Sequence, residues 1–174
     1  MLDFTRHVTM FSRLYVHNGA TASLVKRLSS HAPFNVGDKA SMTKIFTAED
    51  VKAFSELTGD YNPIHFDTGV AKASRFGDCI VHGVLTVGLL SAVMGMKLPG
   101  PGSIVLSYDI VHPEALFVGE LVKAEVCVQL MKGRQMTLLL LCTSSRGKTV
   151  TKGTARLLVP KQKNNQHNES FRPA

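Results

Sequence analysis

Within TGDYNPIHFD, residues 58–67, two carboxylates, an asparagine, a tyrosine and a histidine occupy ten positions. Asp60 and His65 are five apart, which places them poorly for sharing one face of a helix. In a loop bent by Asn62-Pro63 the chain can instead fold back and aim both side chains at one point. A carboxylate and an imidazole converging on one water can act as general base and general acid at neutral pH. Asn62 is placed to hold Asp60 or that water. The same stretch also reads as a capped polar turn, because Gly-Asp and Asn-Pro are common turn dipeptides. Metal chemistry fits less well. Asp60-x-Asn62 starts like a calcium loop, but Pro63 and the missing glycine and terminal glutamate break that pattern. His65-x-Asp67 offers too few ligands for zinc.

A second group follows at His82-Gly83, inside an uncharged run of eighteen residues from Cys79 to Met96. If a helix opens there, its first N–H groups lack intrahelical acceptors and its positive dipole end points outward. Gly83 has no side chain, so a substrate carbonyl could approach its N–H closely. Such a donor is an oxyanion hole, worth roughly 3–4 kcal/mol when aimed at developing enolate charge. Taken alone, Gly83 reads first as a packing glycine.

The elements that must position these residues are legible. Val36 to Phe46 alternates loosely, as a first strand does. Thr47-Ala48-Glu49-Asp50 has the form of a capping box, and Val51, Phe54, Leu57 and Thr58 follow at helical spacing. Gly59 suits the C-terminal cap, so Asp60 emerges where a helix stops. Asp67 is placed to cap a second short helix, through Ala71 to Ser74, that Gly77 would end. The uncharged run is long enough to span a membrane. It also contains His82, Ser91 and three glycines, lacks aromatic anchors, and precedes strands able to wrap it. Burial inside a soluble fold is the expectation.

Ser103 to Val111 reads as a strand. From Val118 onward, Val122, Ala124, Val126, Val128 and Leu130 keep to one side, while Lys123, Glu125 and Gln129 face the other. Lys132-Gly133-Arg134 and Arg146-Gly147 then turn the chain into Gln135–Ser144 and Thr149–Val159. The order predicts an α+β fold, an antiparallel sheet curled around one long helix.

Charge narrows the function classes. The 174-residue chain has a formal net charge of +7, yet residues 38–159 hold thirteen Lys/Arg against eleven acids. Much of the basicity lies at the termini, and no Lys/Arg cluster interleaves with aromatics, so no nucleic-acid partner is expected. Cys79, Cys127 and Cys142 are odd in number and widely spaced, which suggests neither a disulfide framework nor a structural zinc site. Residues 1–35 read as a mitochondrial transit peptide: basic, rich in Ser/Thr, poor in acids, with Phe4, Val8, Phe11 and Tyr15 on one helical stripe. Residues 36–159 form the organised domain, and 160–174 read as a tail with little to bury.

TGDYNPIHFD, VHGVLTVGLLSAVMGMKLPGPGSI and HPEALFVGELVKAEV, in that order, resemble the MaoC-like (R)-specific enoyl-thioester hydratases. With the address segment, the chain is similar to the mitochondrial 3-hydroxyacyl-thioester dehydratases of type 2. The resemblance implies a hot-dog fold, a homodimer, and reversible dehydration of (3R)-3-hydroxyacyl thioesters in the mitochondrial matrix. The acyl group would ride on acyl-carrier protein or coenzyme A, with no cofactor and no stable membrane insertion. It implies Asp60 and His65 as the acid–base dyad and Gly83 as the oxyanion donor. Asn62, Ser91 and His82 would support them. Cys79 departs from the proline that many relatives carry there. A hot-dog thioesterase and a silent acyl-binding subunit are the rival readings.

Overall fold

The computed structural model of the chain describes residues 34–160, all within one compact unit. The segments read as an address and as a tail lie outside these residues, except at their inner ends. Five antiparallel strands form a single sheet: β1 (Lys39–Ile45), β2 (Ile104–Val111), β3 (Leu121–Lys132), β4 (Gln135–Ser144) and β5 (Thr149–Leu158). Their spatial order is β1-β3-β4-β5-β2. The helices α1 (Ala48–Thr58), α2 (Thr68–Ala73) and α3 (Gly83–Met96) all fall between β1 and β2, with a single 3-10 turn, Pro63–His65, after α1.

The concave face of the sheet closes on α3. Leu89, Leu90, Val93 and Met94 pack into a core with Val122, Ala124, Val126 and Val128 of β3 and Met136, Leu138 and Leu140 of β4. No helix among the described residues is long and apolar enough to cross a membrane. The uncharged run is therefore only partly helix, and its first four residues serve a different purpose. Val81 N–H donates to Leu116 O at 2.8 Å and Val118 N–H to Cys79 O at 3.1 Å, pinning the entry to α3 against the chain before β3.

Local signals held in detail. Thr47 Oγ1 accepts from Asp50 N–H at 3.2 Å and Asp50 Oδ2 accepts from Thr47 N–H at 3.0 Å, a reciprocal capping box. Gly59 caps α1 in the left-handed region, and its N–H donates to Ser55 O at 2.7 Å. Two expectations shift. α2 stops at Ala73, because Ser74 turns extended and spends its hydroxyl on Ala71 O at 2.7 Å; Gly77 lies beyond it, in the following turn. The inward alternation of β3 ends at Val128, where a register shift against β4 turns Leu130 outward.

The position of β2 depends on Gly153. This residue of β5 adopts φ 156° opposite Ile110, and a Cβ there would run into the Asp109 carbonyl oxygen. Gly153→Ala should therefore lower stability by about 2–4 kcal/mol through a forced backbone shift. The urea midpoint of the purified variant, compared with wild type, is the measurement.

Candidate active site

The chain leaves α1 at Gly59 and is arrested within six residues. Asn62 N–H donates to Asp60 Oδ1 at 3.2 Å, and Asn62 Oδ1 accepts from Ile64 N–H at 3.3 Å to start the 3-10 turn. Asn62 thus does hold Asp60, but through its backbone, while its side chain caps. Asp67 fixes the far end of the loop, accepting from Gly69 and Val70 N–H at 2.7 and 3.1 Å. Between these anchors the loop docks on the α3 entry. Ile80 N–H meets Ile64 O at 3.4 Å, and His65 Nδ1 lies 2.7 Å from Ile80 O.

That last contact sets the tautomer of His65. A carbonyl oxygen can only accept, so Nδ1 carries a proton, and in the neutral ring the lone pair is then on Nε2. His65 stacks on His82, with ring centroids 3.7 Å apart and planes 28° apart. His82 is only 2% exposed and rests on Phe54 from α1 at 4.8 Å between centroids. Its Nε2 lies 3.2 Å from Asp60 O, 3.3 Å from Ser55 Oγ and 3.8 Å from Asp60 Oδ2. Ser55 donates its own hydroxyl proton to Val51 O at 3.2 Å, so His82 Nε2–H is the donor to both oxygens. Burial pushes the His82 imidazole below the ordinary histidine value; the Asp60 carbonyl pulls the other way, and His65 adds to the lowering. His82 is accordingly a neutral platform under His65.

Asp60, His65 and His82 each bring a ligand-type atom within 4.8 Å of the others. The arrangement suits proton transfer better than metal binding. Stacked imidazoles carry their lone pairs side by side in neighbouring planes, and His65 Nδ1 and His82 Nε2 are committed to carbonyl oxygens.

Gly83 is the first residue of α3, directly after His82. It lines a cavity of about 520 Å³ together with Arg75, Ile80, Thr86, His112 and Glu114. Asp60 and His65 do not line this cavity; they approach the same Ile80–Gly83 segment through His65 and His82. Ser91 stands apart. It is exposed in the third turn of α3, and among the described residues no hydrogen bond joins it to Asp60 or His65.

Sequence reasoning missed several participants. Ser55 is fully buried four residues after buried Val51, so a polar residue on the apolar stripe of α1 was the available signal. Thr86 and His112, which flank Gly83, lie in the stretches that carry the resemblance but without a role of their own, and Thr151, which joins them, carries no mark. They come from three distant stretches that only the closed sheet brings together.

A MaoC-like domain family model matches residues 16–143. A 3-hydroxybutyryl-CoA dehydratase of Methylorubrum extorquens is 38% identical over 73% of this chain and 82% of its own. A mitochondrial 3-hydroxyacyl (acyl-carrier-protein) dehydratase of Solanum lycopersicum is 28% identical over 86% of each chain. Among solved structures, the (R)-hydratase of A. caviae involved in PHA biosynthesis superposes with a TM-score of 0.71 at 36% identity, covering 73% of this chain and 98% of that one. The sheet wrapped on α3 is accordingly a hot-dog fold, and the chain belongs to the MaoC-like domain family of hydratases and dehydratases.

Proposed function

We propose that the chain interconverts (3R)-3-hydroxyacyl thioesters and trans-2-enoyl thioesters, with Asp60 and His65 as its acid–base pair and Gly83 as its oxyanion donor. The observation that carries this reading is the convergence of Asp60 and His65 at the entry to α3, with ligand-type atoms of the two within 4.8 Å and the His65 ring held by its Nδ1 on Ile80 O. In dehydration, Gly83 N–H receives the thioester oxygen and His65 Nε2 accepts the C2 proton. The C3–O bond then breaks, and the same proton passes from His65 to the departing hydroxyl, so that water leaves. Asp60 holds the hydroxyl by accepting its hydrogen bond. Both transfers occur on one face of the substrate. Asn62 and His82 keep the pair in place, and Ser91 is an assisting residue reached once the substrate lies along α3.

The finer reading is dehydration on acyl-carrier protein in the mitochondrial matrix, within fatty-acid synthesis. It is supported by the basic, Ser/Thr-rich residues 1–35 and by the mitochondrial names of the plant relatives. The bacterial relatives of higher identity are named for coenzyme A thioesters, so both carriers belong in the assay.

A second copy of the chain completes the site. The side chain of Asp60 is 51% exposed, and Tyr61, Phe66 and Val84 stand exposed around it. Edge strand β2 likewise leaves Ile104, Leu106 and Tyr108 uncovered. Apolar surface on this scale beside an unpaired strand edge favours self-association.

Purified protein should convert (3R)-3-hydroxyacyl and trans-2-enoyl thioesters and leave the 3S isomers essentially untouched; comparable turnover of both isomers overturns the assignment. Asp60→Asn and His65→Ala should each lower kcat by about 10²–10⁴-fold while the purified variants stay folded by circular dichroism. Light scattering should give twice the monomer mass, and a monomer at assay concentration removes the second copy from the site. His82 adds a pH dependence of known sign. Its folded value lies below its unfolded value of 6.5, so the unfolded chain binds the extra proton. Stability is full above about pH 6.5 and falls as pH drops through the depressed folded value. Urea titrations across this window should show a shallower loss for His82→Gln, whose amide can still donate to Asp60 O.

A further inference from the structure

Gly83 is gripped from two sides. On one side lies the ring of His112, the first residue past β2, so close that a Cβ on Gly83 would stand 3.2–3.3 Å from its Cε1, Nδ1 and Nε2. On the other, Thr86 Oγ1 donates to the Gly83 carbonyl at 2.6 Å. The two grips are joined. Thr86 Oγ1 lies 2.6 Å from Thr151 Oγ1, which lies 3.0 Å from His112 Nδ1. Thr86 and Thr151 are 2% and 0% exposed, so water does not compete for this chain of contacts.

The proton directions follow from counting. Thr86 has one hydroxyl proton and spends it on Gly83 O. Thr151 must then donate to Thr86, and its oxygen accepts from His112 Nδ1–H. The loop of contacts closes on a single peptide: His112 ring to Gly83 Cα, His112 to Thr151, Thr151 to Thr86, Thr86 to the Gly83 carbonyl.

We propose that His112 is a positioning residue for the reaction, clamping the first peptide of α3 so that Gly83 N–H keeps one direction into the cavity. This rests on Gly83 acting as the oxyanion donor. A free helix end frays, and a donor that swings loses its advantage in the transition state before it loses binding, since charge on the oxygen grows only there. The clamp also explains the glycine: a side chain at this position would meet the His112 ring, so ring and glycine form one fitted pair. His112, Thr151 and Thr86 come from the end of β2, from β5 and from α3, so the closed sheet itself sets the aim.

Three variants separate the clamp from simple packing. His112→Phe keeps a ring over Gly83 and loses the bond to Thr151. Thr151→Val breaks the relay in its middle. His112→Asn places an amide donor near the position of Nδ1. On the (3R)-3-hydroxyacyl and trans-2-enoyl thioesters, His112→Phe and Thr151→Val should lower kcat by about 10- to 100-fold with KM nearly unchanged. His112→Asn should recover most of that loss. In parallel, the backbone amide resonance of Gly83 in ¹H–¹⁵N spectra should shift or broaden in His112→Phe and Thr151→Val and return in His112→Asn, with the amides of β3 and β4 unmoved. Unchanged kcat, a loss confined to KM, or an undisturbed Gly83 resonance overturns the clamp. If wild type turns over neither thioester, the proposed reaction fails, and the resonances still decide whether His112 holds Gly83.

Discussion

The fold is built around the need to bury α3. A helix with apolar residues on nearly every side has no face to offer water, so something must wrap it. The sheet does this with the inward residues of β3, β4 and β5, and each fully buried aliphatic chain contributes about 1.5–3 kcal/mol. The consequence for chemistry lies at the end of the helix. Once α3 is enclosed, its N-terminus stands where the chain from α2 crosses the segment before β3, and its first N–H groups have no protein acceptor within the helix. N–H groups suited to a developing negative charge thus arise from the same constraint that makes the core.

Holding an imidazole beneath that site has a cost. Burying His82 removes it from water, and its Nδ1 finds no partner among the described residues. What is gained is placement. Through Nε2 it ties Ser55 of α1 to the Asp60 carbonyl, and its ring forms the floor on which His65 lies. A neutral His82 adds no positive charge under His65, whereas a charged one would oppose protonation of the ring it supports. The depressed His82 and the committed Nδ1 of His65 belong to one arrangement, in which His65 Nε2 and the buried His82 Nδ1 are the ring nitrogens without a committed partner.

Much of this was legible because it is local. The capping box at Thr47, the stop at Gly59 and the Asn62-Pro63 bend are each written in a few adjacent residues, and the structure realises each of them. The sheet was legible through its two-residue period until the register shift of β3, which leaves no trace in the hydrophobic pattern beyond Leu130 itself. Asp60 and His65 could be paired from sequence because they share one loop. In sequence His82 is marked only as a supporting residue at a helix start; its contact with Asp60 crosses twenty-two residues and depends on how α1 lies against α3. His112 and Thr151 are thirty-nine apart, and their pairing exists only because β2 and β5 are neighbours. Chemistry carried by one loop is readable in sequence; chemistry carried by sheet closure is not.

Closure of the sheet and closure of the site are not the same event. The sheet encloses the inner side of α3, but Val84 in its first turn is 60% exposed. An acid–base pair in open water has weak interactions, because the solvent screens each charge and competes for each hydrogen bond. The apolar side chains that leave Asp60 open are the ones a second copy would cover. Association would then do more than bury surface: it would lower the local dielectric around Asp60 and His65, strengthening the pull of both on a substrate's hydroxyl and C2 proton. If the proposed pairing of two copies holds, the energy that drives them together and the environment that makes the proposed dyad effective would come from the same patch, and assembly and activity would rise and fall as one.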